Sequence, residues 1–362
     1  MTKAKNHHYV PQSHLRCFSP DRTKIHVFDK FTRRSFTSNI KNVASETYFH
    51  DVPEEYLASL LERVQQKYKN SEDLPDIVDS VKGLGTIEER LSQIEDQFVK
   101  MVDDLVDNLE EKSAWFKKEP EIKSFREAIT DLDVIELIGR LIASETVDPV
   151  YKPAVAFMVA VQFVRTKEYR ASLKEFLEKS TKAVSEMVLR MMGADISKFD
   201  VETKISEEQL KIMHLGHIQD NDVISRMVDA LMNHMWSFEA NETPQPFFTS
   251  DNPVALVPNK VEPFRHHTEY ASEGIIVRMP LSPKYAVAFY ERTFFAELER
   301  IEGKVLPIDL NHVTYHNSVQ INQSYRQVYA SSSDFELAER TCREHPEVCD
   351  PERARFGRYP SI

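Results

Sequence analysis

His7 and His8, followed by Tyr9-Val10-Pro11-Gln12 and by Arg16, place two imidazoles, a proline of fixed φ and a guanidinium within ten residues. Imidazoles can ligate a metal or act as a general base, and a neighbouring guanidinium can neutralise phosphate. Adjacent residues on an extended segment point to opposite sides, so His7 and His8 cannot easily share one ion. One is expected to act while the other orients. Against this stands a plainer role, in which Tyr9, Pro11, Leu15 and Phe18 pin the terminus to the core and the imidazoles only hydrogen-bond.

A second polar tip is Ser250-Asp251-Asn252-Pro253, at the end of the apolar run Pro246 to Thr249. A carboxylate and an amide at a strand end can hold a metal or position a base, and they can equally close an Asx-turn. Gln162 and Arg165 interrupt an otherwise apolar helix; burying them is costly unless they are paired, so they answer to a substrate phosphate, a site carboxylate or an internal salt bridge. Asn317, Gln320, Asn322 and Gln323 make an amide-rich face beside His316, suited to a pocket wall. His312 and His316, and His214 and His217, have helical spacing but no glutamate between them of the zincin kind. Cys17 follows Arg16, yet its apolar flanks suggest burial.

The elements that must carry these groups follow from periodicity. Residues 23 to 40 read as a hairpin, and Tyr56 to Val64 as a helix followed by a polar connector from Asn70 to Gly85. Thr86 with Glu89 predicts a capping box for an amphipathic helix reaching Leu109, Pro120 starts another, and Pro153 a third that runs beyond Phe176. Helices are expected near 182–192, 206–215 and 221–236. Short strands then follow at 246–250, 254–257, 274–279 and 285–290, with a helix at about 311–330 and a last one capped by Ser333. The expectation is an α+β fold, predominantly helical. A helical bundle (51–235, with an acidic elaboration at 54–119) would pack on a small mixed or antiparallel sheet, formed jointly by residues 1–50 and 236–362.

Composition narrows the classes. The chain has 362 residues, 41% of them hydrophobic, enough for a sizeable core. Three cysteines without CxxC spacing indicate neither a disulfide framework nor a zinc knuckle, and a reducing cytoplasm is expected. The opening residues are polar and the longest apolar run is broken by Gln162, so neither export nor a membrane span is expected. Only eight glycines are present; Gly83-Leu84-Gly85 lacks the third glycine of a dinucleotide fingerprint, and neither a P-loop nor a GxSxG elbow occurs. The net charge of -12 argues against indiscriminate nucleic-acid coating, yet nine bases stand against two acids between residues 1 and 41. That face could take nucleic acid or a nucleotide, or dock on the acidic remainder, while the acidic helices could recruit a protein partner.

HHYVPQ with LRxF, QFVRT at Gln162 to Thr166, FFTSDNPV at Phe247 to Val254, PLSP at Pro280 to Pro283 and the Asn-rich helix after Asn317 occur here in one order. Together they resemble the bacterial domain-of-unknown-function family 4238. The resemblance spans nearly the whole chain and implies a site assembled from His7, His8, Arg16, Gln162, Arg165, Asp251 and Asn252. The expected chemistry is metal-assisted hydrolysis of a phosphodiester or nucleotide, as in a nuclease effector of defence or toxin type. His7, His8, Asp251 and Asn252 would be catalytic, His8 and Asp251 holding a divalent ion, with Arg16, Gln162, Arg165 and Asn317 binding substrate. The alternative is a non-catalytic module that binds a ligand or a nucleic-acid end.

Overall fold

The computed structural model of the chain describes residues 6–114, 144–196, 200–260 and 269–355. The helix expected from Pro120 lies outside them. The fold is α+β and helix-dominated, as the periodicity implies.

The N-terminal motif forms a short strand β1 (Asn6–His8), paired antiparallel with β4 (Ser45–Thr47) so that His7 faces Glu46. Pro11 then opens helix α1 (Gln12–Cys17), its carbonyl accepting from the Leu15 amide. Tyr9, Val10, Leu15 and Phe18 are buried and pack with Ile25, Val27, Val43, Phe49 and Tyr329. Part of the motif is therefore core.

The hairpin expected at 23–40 is present as β2 (Lys24–Asp29) and β3 (Arg34–Asn39). It joins two C-terminal strands, β6 (Thr249–Ser250) and β11 (Gln327–Ala330), in the order β3-β2-β11-β6. The two ends of the chain thus share a sheet. The remaining C-terminal strands are separate from it: β5 (Met235–Asn241), β7 (Ala255–Pro258), β8 (Ile275–Pro280), β9 (Tyr285–Tyr290) and β10 (Val305–Ile308) form a five-stranded sheet ordered β10-β5-β9-β8-β7.

Both faces of that sheet are covered, which β9 shows at period two: Tyr285, Val287 and Phe289 face one core, while Ala288 and Tyr290 face another. The first core is completed by α4 (Ile87–Ser113), α5 (Tyr151–Val164) and α8 (Asn221–Asn233); the second receives Val319 of α9 (Leu310–Gln323). Helix α10 (Glu336–Glu344) covers β2 and β11 through Ala338 and Cys342. Helices α2 (Glu54–Lys67), α6 (Lys167–Met191) and α7 (Glu207–Gln219) complete the helical layer, with α3 (Leu74–Gly83) in what reads as a polar connector. Among the described residues no helix is long and apolar enough to cross a membrane.

Several local expectations change. Thr86 makes no capping bond; its hydroxyl donates to the Gly83 carbonyl. The helix expected from Pro153 past Phe176 is two helices, broken at Arg165 and Thr166, because the Thr166 hydroxyl caps α6 by accepting from the Tyr169 amide. The segment expected to be helical up to Ala330 ends at Gln323 and turns into β11.

Candidate functional site

The break between α5 and α6 leaves Arg165 at the end of a buried helix, 2% exposed, under the N-terminal motif. Its guanidinium donates to the His8 carbonyl at 2.6 Å and pairs with Glu95 of α4 at 2.7 Å. Its Nε is buried with no hydrogen-bond partner among the described residues. Gln162, one turn earlier, donates to the Tyr9 carbonyl. The two polar residues on the apolar helix thus hold the backbone of His8 and Tyr9.

His7 is buried and accepts the backbone amide hydrogen of His50 on Nδ1 at 3.0 Å, and the two rings stack with centroids 5.9 Å apart. His50 follows a turn in which Tyr48 has φ +58°, a left-handed conformation that non-glycine residues rarely adopt and that clusters at functional sites. The His50 Nδ1 lies 2.7 Å from the Glu88 carboxylate, at the start of α4. One ligand atom from each of His7, His50 and Glu88 falls within 4.8 Å of the other two. Glu88 keeps a side-chain exposure of 35% and gives the cluster its contact with solvent.

Burial pushes the His50 imidazole well below its ordinary range, with Arg165 and Arg170 adding to the effect. Burial and Arg165 bring His8 down to about 4, and its Nδ1 is buried without a hydrogen-bond partner among the described residues. Burial pushes Glu88 up, against His7 and Arg165, which favour its charge. His50 is therefore neutral, as a metal ligand must be. Two imidazoles and a carboxylate match the donor set of zinc sites that keep an open coordination position.

The pairing expected between His8 and Asp251 is not what the structure builds. Asp251 is fully buried, and its carboxylate accepts the backbone amides of Tyr325, Arg326 and Gln327 at 2.7, 2.8 and 2.8 Å. Burial pushes its carboxyl up to about 6, opposed by those amides and by Lys30. It clasps the turn between α9 and β11, so its oxygens are spent on backbone. Asn252 is likewise used, accepting from Thr166 and donating to the Gln323 carbonyl.

The amide face of α9 has a similar task. Asn317 accepts from the Phe248 amide and donates to the Pro246 carbonyl; Gln320 holds Ser250 and the Pro253 carbonyl; Gln323 holds both backbone groups of Leu256. Three amides at steps of three stand in for a neighbouring strand along residues 246–256. Asn317 is therefore a backbone clamp rather than a substrate contact.

The other histidine pairs are divided among separate partners. His312 meets Asp309 and His316 meets Glu239, while His214 takes Arg170 and the Val164 carbonyl and His217 takes Tyr169. Cys17 donates to the Ser13 carbonyl and is pushed up by burial.

Arg16, Gln162 and Arg165 do converge. They line one hollow of about 80 Å³ between α1, α4, α5 and the end of β8, together with His14, Phe98, Val102, Met158 and Met279. Arg165 belongs to both places: it lines the hollow and acts electrostatically on His50 and Glu88.

These features define an α+β protein whose N-terminal histidine strand is locked by a buried arginine and completes a histidine–carboxylate cluster. The chain belongs to the family described as Protein of unknown function (DUF4238), whose model matches residues 6–334. No curated protein and no solved structure matches the chain.

Proposed function

We propose that the protein is a metal-assisted hydrolase of phosphoesters, with His7, His50 and Glu88 as the ligand set. The observation that carries this reading is the approach of those three side chains to within 4.8 Å of one another, from three separate segments. A divalent ion of the zinc type, when bound there, would supply Lewis-acid polarisation and an activated water.

The protein's own groups do the rest. The His50 amide occupies the His7 Nδ1 lone pair, so His7 joins the ligand set only when that bond opens, whereas Glu88, accepting from His50 Nδ1, orients the second imidazole and leaves its Nε2 facing the ion. Glu95 balances the charge of Arg165, so the guanidinium stays in place within the buried layer. Its Nε, buried and without a partner among the described residues, is the donor a phosphoryl oxygen would meet on entering that layer.

The test is hydrolysis of bis(p-nitrophenyl) phosphate by purified protein with added zinc or manganese. The reading expects turnover that chelator abolishes and that Glu88→Gln lowers by at least about 10²-fold, with the thermal midpoint unchanged. Absence of metal-dependent turnover, or full turnover in Glu88→Gln, overturns it.

A further inference from the structure

The hollow beneath α1 has two unlike walls. Phe98 and Val102 of α4, Met158 of α5 and Met279 of β8 make one wall apolar, and two of these four are thioethers. Ser13, Arg16, Arg22, Gln162 and Arg165 line the other, with Asp103, whose carboxylate lies 3.9 Å from the Arg22 guanidinium and leaves Arg16 as the cation without an acidic partner among the described residues. An apolar wall gives nothing to a bare phosphate, and a guanidinium rim gives nothing to a neutral hydrocarbon. Both walls are satisfied only by a ligand with an apolar, ring-like body and an anionic group. Thioethers and a phenyl ring favour contact with an aromatic ring, and the Gln162 carboxamide can meet ring heteroatoms.

Size points the same way. A space of about 80 Å³ open to the centres of water molecules exceeds several times the roughly 10–15 Å³ that one water needs. It is a partly open hollow lined by residues of four elements of the fold, and its volume suits one base-sized group rather than a nucleic-acid duplex.

We infer that the hollow binds a nucleoside monophosphate, its base against Phe98, Val102 and the two methionines and its phosphate toward Arg16 and Arg165. The inference deepens the hydrolase reading, on which it rests for what becomes of the phosphate. Arg165 is the link, because it lines the hollow and also ties down the strand that carries His7. Arg16 is exposed and, among the described residues, makes only a long contact, 3.5 Å, to Gln12 on its own helix. It is thus available to an incoming anion.

The test is calorimetric titration of the full chain with adenosine monophosphate, inorganic phosphate and adenosine, with zinc binding measured on the same samples. The nucleotide is expected to bind at least about tenfold more tightly than phosphate or adenosine alone. Val99→Trp, which projects a ring into the hollow from a partly exposed position, and Arg16→Gln, at an exposed one, should each weaken nucleotide binding by at least about tenfold. Where Val99→Trp fails to fold, Arg16→Gln decides. Nucleotide binding no tighter than phosphate, or undiminished in folded variants, overturns the inference. Zinc binding without nucleotide binding overturns this inference alone, whereas hollow-dependent nucleotide binding without zinc binding overturns the metal reading and leaves the hollow's ligand standing.

Discussion

Arg165 donates to the backbone carbonyl of His8 at 2.6 Å, so a residue at the end of a buried helix sets the position of the N-terminal histidine strand. The same guanidinium pairs with Glu95. Arg165→Met removes both contacts, leaving a carboxylate and a carbonyl without their donor. Because Glu95 retains 23% side-chain exposure, the cost should fall at or below the low end of that for a fully buried pair, about 2–3 kcal/mol. Denaturant unfolding measures it, and a change below about 0.5 kcal/mol, typical of a surface substitution, would show that the strand is held by other contacts.

Asp251 is a second case in which geometry assigns a structural task. Asp251→Ala strips the acceptor from three partly buried amides, and each costs about 1 kcal/mol, the low end of the range for a buried unsatisfied donor. The variant should lose at least about 3 kcal/mol of stability or fail to accumulate as folded protein. A catalytic Asp251 would show the reverse pattern in thermal unfolding, a normal midpoint with lost activity.

This contrast marks what could be read from sequence. A carboxylate at a strand tip before proline looks the same whether it holds a metal or clasps a turn, and only the amides of residues 325–327, more than seventy positions away, distinguish the two. His50 and Glu88 escaped notice for a related reason. His50 stands alone in a polar turn after a short strand, and Glu88 sits in the first turn of a helix where acids are routine. Neither has a local pattern that announces a site; the 43 and 38 residues that separate the bonded partners exceed what periodicity can see. The signal on offer was Tyr48-Phe49-His50-Asp51, a polar ring directly after two aromatics. Gln162 and Arg165 were legible because a polar group on an apolar helix has an evident cost, and Arg16 because it stands beside the paired histidines; the three do share one hollow. The hairpin at 23–40, the amphipathic α4 and the strand of residues 285–290 were legible from alternation or helical period.

Glu239, buried on β5, gives a pH prediction. Burial alone would raise its carboxyl, but His316 at 2.5 Å and Arg278 at 3.5 Å outweigh that and hold it at about 2, with His312 adding to the effect. The folded-state carboxyl is depressed, so its contribution to stability is complete above the ordinary glutamate value of about 4.3 and is lost as pH falls from there toward 2. Glu239→Gln should flatten the acid limb of a stability–pH curve across that window and lower stability at neutral pH. An acid limb identical to that of the unaltered protein would show that the ion pair carries no linkage.

The cluster beside Arg165 supplies the decisive measurement. Titration of metal-free protein with zinc should show one ion bound per chain. Glu88→Gln, nearly isosteric and at a partly exposed position, should bind at least about tenfold more weakly while unfolding at the same temperature as the unaltered protein. Protein that takes up no zinc, or a Glu88→Gln variant that binds it equally well, would contradict the assignment of His7, His50 and Glu88 as a metal centre.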